Sequence, residues 1–202
     1  MEANTETILI LGLGNPGPIN AETRHNAGFM ALTLLNARYR LGNSTSILSS
    51  AVVEGEISGR KIVLAWPLNY MENSGKALGE LLNHLNIASK ENVLVVHDDA
   101  TLPLGVIKTG DGTAPAGHDG LKSVLAELRG PFPALRLGIG GEAAPPPEDP
   151  AALRDFLLQP FEFEDLDVIR PALALAAEGI HARLTGGMEA LSAFLEGRAP
   201  GL

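Results

Sequence analysis

The chain has no cysteine, which excludes disulfides, thiolate zinc sites and cysteine nucleophiles. No apolar run approaches the length of a membrane span. The first residues, Met1 to Glu6, lack the basic-then-apolar order of a secretion signal. Together these absences imply a soluble, cytoplasmic protein with no membrane attachment. Positive charge is scarce as well: 15 Lys and Arg stand against 24 Asp and Glu, a net charge of −9. That balance argues against binding nucleic acid by broad phosphate neutralisation, which needs cations to displace counterions. A local basic patch on an acidic body remains compatible with it. What is present is enough for a core: 202 residues, 45% of them apolar, fit one α/β domain spanning the whole chain, and no internal repeat divides it.

Apolar runs and turn residues alternate along the chain. Ile8 to Leu11 predicts a buried strand, and Phe29 to Leu35 lies within a helix expected from about Gly28 to Tyr39. Leu41 to Ser46 reads as a polar loop. Ala51 to Ile57 and Lys61 to Trp66 flank Ser58-Gly59 as a hairpin, ended by Pro67. A helix is expected from Lys76 to Leu85, with Asn73 or Ser74 as its cap. Val93 to Val96 is apolar on both faces, as a central strand is, and runs into His97-Asp98-Asp99 at its carboxyl end. A short strand, Val106 to Lys108, precedes a Gly-rich loop, a helix from Leu121 to Leu128 and a strand from Ala134 to Gly140. Gly141 to Pro150 is too rich in Pro for regular structure and predicts an exposed, mobile loop. Helices follow near Ala151 to Leu157, Glu164 to Leu184 and Met188 to Leu195, with Gly186-Gly187 between the last two. The alternation predicts a three-layer α/β domain: a mixed, mostly parallel sheet, one antiparallel hairpin, helices on both faces.

Three groups of residues point to chemistry. Gly12-Leu13-Gly14-Asn15-Pro16-Gly17 has the spacing of a dinucleotide fingerprint, but Pro18 and a polar loop intervene before helical pattern begins, and the acidic residue expected at the second strand's end is missing. His25 and Asp98 each follow the carboxyl end of a predicted strand. With those strands adjacent, the carboxylate fixes the imidazole's tautomer and leaves its other nitrogen as a general base for hydrolysis. The alternative is that His25 caps a helix and Asp98 closes a turn. The third group is Asn15, Asn26, Asn69, Asn73 and His118, side chains suited to holding an ester carbonyl or a peptide backbone but equally common in turns and caps.

Gly14-Asn15-Pro16-Gly17, Thr23-Arg24-His25-Asn26-Ala27-Gly28, Met71 with Ser74-Gly75, His97-Asp98, Leu102-Pro103 with Gly105, Gly117-His118 with Gly120-Leu121-Lys122, and Arg136-Leu137-Gly138-Ile139-Gly140 resemble, in order, the motifs of bacterial peptidyl-tRNA hydrolases. The resemblance covers nearly the whole chain. It implies hydrolysis of the ester between a peptide and the terminal ribose of tRNA, with no metal and no cofactor, by what is expected to be a monomer. It also implies that His25 is the catalytic base, that Asp98 orients it, and that Asn15 holds the peptide or positions water. Asn20, Tyr70, Glu72, Asn73, His118 and Asp119 fall at the positions expected to bind substrate.

Several of those positions depart from the family pattern. Glu72 and Asp119 stand where carboxamides are usual, with Asn73 displaced by one; Asn20 replaces a Tyr, and Thr101 an Asp. The Gly-rich approach to His118 reads Thr113-Ala114-Pro115-Ala116. An ionised carboxylate only accepts hydrogen bonds and repels phosphate. Lys61, Lys108, Lys122, Arg129 and Arg136 remain as phosphate contacts. A second reading therefore stands beside the first: a divergent homologue that binds, or hydrolyses another ester or amide.

Overall fold

Five consecutive buried residues, Ile8–Gly12, make strand β1, and a strand buried on both sides needs a layer of helices on each. The computed structural model describes residues 7–140, 144–146, 148–196 and 198, so Met1 to Glu6, Gly141 to Ala143 and Pro147 of the Pro-rich run lie outside the described residues. After β1 come α1 (Ala27–Tyr39), β2 (Thr45–Ile47), β3 (Ser50–Ile57), β4 (Arg60–Pro67), α2 (Ser74–His84), β5 (Val93–Pro103), β6 (Ile107–Gly110), α3 (Asp119–Leu128), β7 (Ala134–Gly140), α4 (Pro150–Leu157) and α5 (Phe163–Leu195).

The seven strands form one sheet in the order β2-β3-β4-β1-β5-β7-β6. Its centre, β4-β1-β5-β7, is parallel. Antiparallel pairing is more extensive than one hairpin: besides β3 with β4, β2 pairs with β3 and β6 with β7. Strand alternation divides the core between two faces. Ile8, Ile10, Leu94 and Val96 pack with α1, α4 and α5, while Leu9, Leu11, Val93 and Val95 pack with α2 and α3. Truncating one of the fully buried leucines, such as Leu9 or Leu11, to alanine costs roughly 2–5 kcal/mol.

Local differences from expectation have physical causes. The stretch read as a polar loop ends in the first two residues of β2, a strand that gains Val52, Ala51 and Ser50 as backbone partners. Neither expected cap bonds as one, since residues 71–73 form a 3-10 turn that runs straight into α2. Asn73 occupies the cap position without a side-chain cap bond, and the Ser74 hydroxyl donates to Met71 O at 2.7 Å. Gly186 (φ −139°, ψ 15°) and Gly187 (φ 77°, ψ −168°) leave the helical region, so the expected break is a kink inside α5.

The register of β5 matters most for the site. Its pairing with β1 stops at Val96, opposite Gly12, but it continues beside β7 through His97, Asp98 and Asp99. Asp98 therefore belongs to the strand rather than to a loop after it, and stands two residues past the end of β1. The chain leaving β1 turns over that point. Gly28 permits the close return: a Cβ there would meet Val96 O at 2.3 Å and Leu13 O at 2.6 Å, so only glycine lets the first turn of α1 rest on the strand ends.

Candidate active site

The loop from Gly14 to Asn26 is braced by its own polar groups. Asn26 accepts from Asn15 N at 2.8 Å through Oδ1 and donates to Asn15 O at 2.9 Å through Nδ2. Met71 N donates to Asn15 Oδ1 at 3.1 Å, which fixes the orientation of that carboxamide and leaves its Nδ2 without a partner among the described residues. Arg24 anchors the loop's other end. It donates to Pro160 O at 2.6 Å and Asp165 Oδ2 at 2.9 Å, and its guanidinium lies 4.7 Å from the Phe156 ring centroid. With both ends held, His25 sits in a single 3-10 turn directly before α1.

His25 Nδ1 lies 3.0 Å from Asp98 Oδ2, and His118 Nε2 lies 3.1 Å from Asp98 Oδ1. Asp98 is 1% exposed. Burial, the largest influence, pushes its pKa up, but the charges of His25 and His118 and their hydrogen bonds outweigh it and hold the carboxyl well below the usual range. An ionised Asp98 only accepts, so His25 Nδ1 carries the proton and its Nε2 keeps a lone pair. Burial also works most strongly on His25, downward; the charge and hydrogen bond of Asp98, with a contribution from Asp119, overcome it and raise the pKa above 6.5.

The second imidazole has its tautomer set independently. Leu121 N donates to His118 Nδ1 at 3.2 Å, so the proton of neutral His118 sits on Nε2 and points at Asp98. His118 also occupies the amino-terminal cap of α3. A third imidazole, His97, donates from Nδ1 to Asp98 O at 2.7 Å; burial and the neighbouring His118 lower its pKa to about 4 and keep it neutral. The ligand-type atoms of His25, Asp98 and His118 lie within 4.8 Å of one another. The two imidazole nitrogens that face Asp98 carry its hydrogen-bonding protons, so the cluster has the chemistry of a carboxylate clamped by two donors.

A cavity of about 970 Å³ opens over this group. Asn15, His25, Tyr70, Met71, Glu72, Asp119 and Lys122 line it on one part, and Leu153, Arg154 and Leu157 of α4 on another. Of the residues expected at the site, Asn15, His25, Tyr70, Glu72 and Asp119 reach this space, with Asp98 directly behind His25. Asn20 does not line it: its Nδ2 donates to Pro16 O at 2.8 Å and closes the turn. His118 lies against the His25 ring, centroids 4.7 Å apart, with both its ring nitrogens engaged. Asn73 faces an adjoining cavity of about 480 Å³, which Tyr70 shares.

The cations divide similarly. Lys122 lines the cavity while paired with Asp119 at 2.9 Å, and Arg136 is held by Asp99 at 2.7 Å. Lys108 is the cross-strand neighbour of Arg136. Lys61 is the second residue of β4 and Arg129 follows the last turn of α3, both at the end of their elements remote from the cavity. Arg154 was not foreseen as a site residue. Its signal, a cationic position one turn into a helix capped by Asp149 and started by Pro150, was obscured by the Pro-rich run before it.

The dinucleotide reading fails on geometry: Gly17 (φ 97°) leads into a single 3-10 turn begun by Pro18, and the first α-helix starts only at Ala27.

Comparison with known proteins agrees with this architecture. A family model described as peptidyl-tRNA hydrolase matches residues 9–199. The peptidyl-tRNA hydrolase of Moorella thermoacetica is 36% identical over 190 residues, 93% of this chain and 97% of that one. That of Carboxydothermus hydrogenoformans is 37% identical over 94% and 98% of the two chains. The crystal structure of peptidyl-tRNA hydrolase from Acinetobacter baumannii superposes with a TM-score of 0.88 at 26% identity, covering 100% of each chain. The match to the family model along nearly its whole length, together with these relatives, places the chain in the peptidyl-tRNA hydrolase family.

Proposed function

We propose that the protein hydrolyses the ester between a peptide and the 3′-terminal ribose of tRNA, with His25 as general base. The observation that carries this reading is the His25 ring itself: Nδ1 is committed to buried Asp98, while Nε2 has no partner among the described residues and the ring borders the cavity. Nε2 takes a proton from water as the water oxygen attacks the ester carbonyl carbon. Asp98 stays ionised and steadies the imidazolium. Asn15 Nδ2, free to donate, stabilises the oxyanion. The intermediate collapses by breaking the bond to the ribose oxygen, which takes the proton from His25, leaving a free peptide acid and tRNA.

His118 holds Asp98 in register and is a positioning residue in this scheme; Asn20 closes its own turn, and Asn73 borders the adjoining cavity. Arg154, Lys122, Lys108 and Arg136 are the cations best placed for phosphates. No described part of the site needs a second copy of the chain, which suits a monomer. The competing reading, a divergent homologue with another acyl substrate or with binding alone, draws on the two carboxylates in the cavity. The test is cleavage of a peptidyl-tRNA by wild type and His25→Ala at low and moderate salt. Turnover should vanish in the variant and fall with salt in the wild type. Absence of turnover from folded wild-type protein rejects the proposal in favour of the competing reading.

A further inference from the structure

Glu72 and Asp119 both border the cavity that His25 lines, and His25 Nε2 has no partner among the described residues. Glu72 follows Met71 in the 3-10 turn before α2, and its carboxylate has no hydrogen bond or ion pair among the described residues. Asp119 opens α3 beside His118; its bond to Lys122 is between side chains 65% and 53% exposed, where water competes strongly. Close to Glu72, Tyr70 is 69% exposed and borders the same space. Two carboxylates and an open aromatic face on one stretch of wall are what an alkylammonium or guanidinium group seeks: Coulomb attraction from the acids and the ring quadrupole from the Tyr. Arg154, which has no ion pair among the described residues, belongs to α4, so it does not cancel the acids locally. His25 is 8% exposed and opens on the same cavity, so an acyl group whose ester lies against its Nε2 must extend along these walls.

Resting on the hydrolase reading above, we propose that Glu72 and Asp119, with Tyr70, form a cation-recognising subsite for the acyl group, so that the enzyme prefers esters with a positive charge on the residue or two nearest the bond. The charge has two chemical sources: the free α-ammonium of a very short peptide, or a Lys or Arg side chain in a longer one. Either places an ammonium or guanidinium within a few bonds of the ester. The carboxylates of acidic residues are disfavoured at the same place, and neutral peptides fall between.

The experiment compares kcat/KM for one tRNA carrying N-acetyl-alanyl, N-acetyl-lysyl, alanyl-alanyl or N-acetyl-glutamyl groups, with wild type and with Glu72→Gln, Asp119→Asn and the double variant. Lysyl or alanyl-alanyl esters should exceed N-acetyl-alanyl by about fivefold at low salt, and glutamyl should fall below it. Which of the two cationic esters gains identifies the source of the charge. The preference should shrink toward one in the double variant and in the wild type at high salt. Because each ratio is taken within one protein, a variant that is merely less active overall does not imitate the result. Equal rates for neutral, cationic and acidic acyl groups in the wild type, with turnover intact, overturn the subsite and leave the hydrolase standing. No turnover of any of the four by folded protein removes both.

Discussion

Asp98 and Asp99 are neighbours on β5, both almost fully buried, yet they serve different ends. Alternation along the strand sends them to opposite faces. Asp98 meets two imidazoles, whose charge depends on pH, at 3.0 and 3.1 Å. Asp99 meets a permanent cation: Arg136 donates to its Oδ2 at 2.7 Å, and Thr101 donates to its Oδ1 through both backbone and hydroxyl. Burial pushes the pKa of each carboxyl up, and its partners more than reverse that, so both are held low. The chemistry available to them differs all the same. A carboxylate locked to arginine is a latch between β5 and β7, whereas a carboxylate facing imidazoles sets which nitrogen carries a proton. Ionisation state alone does not separate structure from catalysis; the identity of the partner does.

The sharpest way to break the comparison is to neutralise each acid in turn. Asp98→Asn should lower kcat/KM by about 10³-fold, because His25 loses the acceptor that fixes its tautomer. Circular dichroism should show the variant folded, and near-normal activity would contradict the assignment. A second consequence concerns His97, buried beside both acids. Its folded pKa, about 4, lies below the unfolded 6.5, so between those values the unfolded chain binds the extra proton. Stability should therefore drop by up to about 3 kcal/mol as pH falls from 6.5 to 4, followed by urea titration. His25 acts with the opposite sign and in a different window: its raised pKa adds stability that is complete below 6.5 and fades as pH rises through the folded value. Asp99→Asn should cost about 2 kcal/mol by leaving Arg136 without its charged partner, while turnover persists. Thr101→Ala, removing one hydroxyl bond to Asp99, should cost about 1 kcal/mol in the same denaturation assay.

How much of this was legible in the sequence follows from the range of the forces involved. Ile8 to Leu11 and Val93 to Val96 declare buried strands because burial on both faces leaves no room for polar residues. The Gly186-Gly187 kink was legible because the φ of Gly187 is one that side chains oppose. His25 and Asp98 were readable as a pair since both sit near the ends of such strands. Their register was not: that β5 runs beside β7 for two residues beyond β1 depends on pairing between segments distant in sequence. The carboxamides depend on shorter-range detail. Asn20 carries the right group for substrate, but its Nδ2 is taken by Pro16 O four residues away, while the Asn73 side chain makes no cap bond and borders the adjoining cavity. His118 had a legible neighbourhood but not legible partners: Leu121 N on one side and Asp98 on the other engage both its nitrogens. Lys61 and Arg129 were credible cations until the direction of β4 and α3 carried them to the far end of the molecule.

The most direct measurement is the pH dependence of kcat/KM for peptidyl-tRNA in the wild type and in Asp98→Asn. The base works neutral, so activity should fall as pH drops through the His25 pKa, with a midpoint above 6.5 in the wild type. In Asp98→Asn, burial is opposed only by the lesser contribution of Asp119, and the residual activity should show its midpoint shifted down from that of the wild type. A wild-type profile flat across this range, or a midpoint that ignores the Asp98 substitution, would contradict a His25 base governed by Asp98.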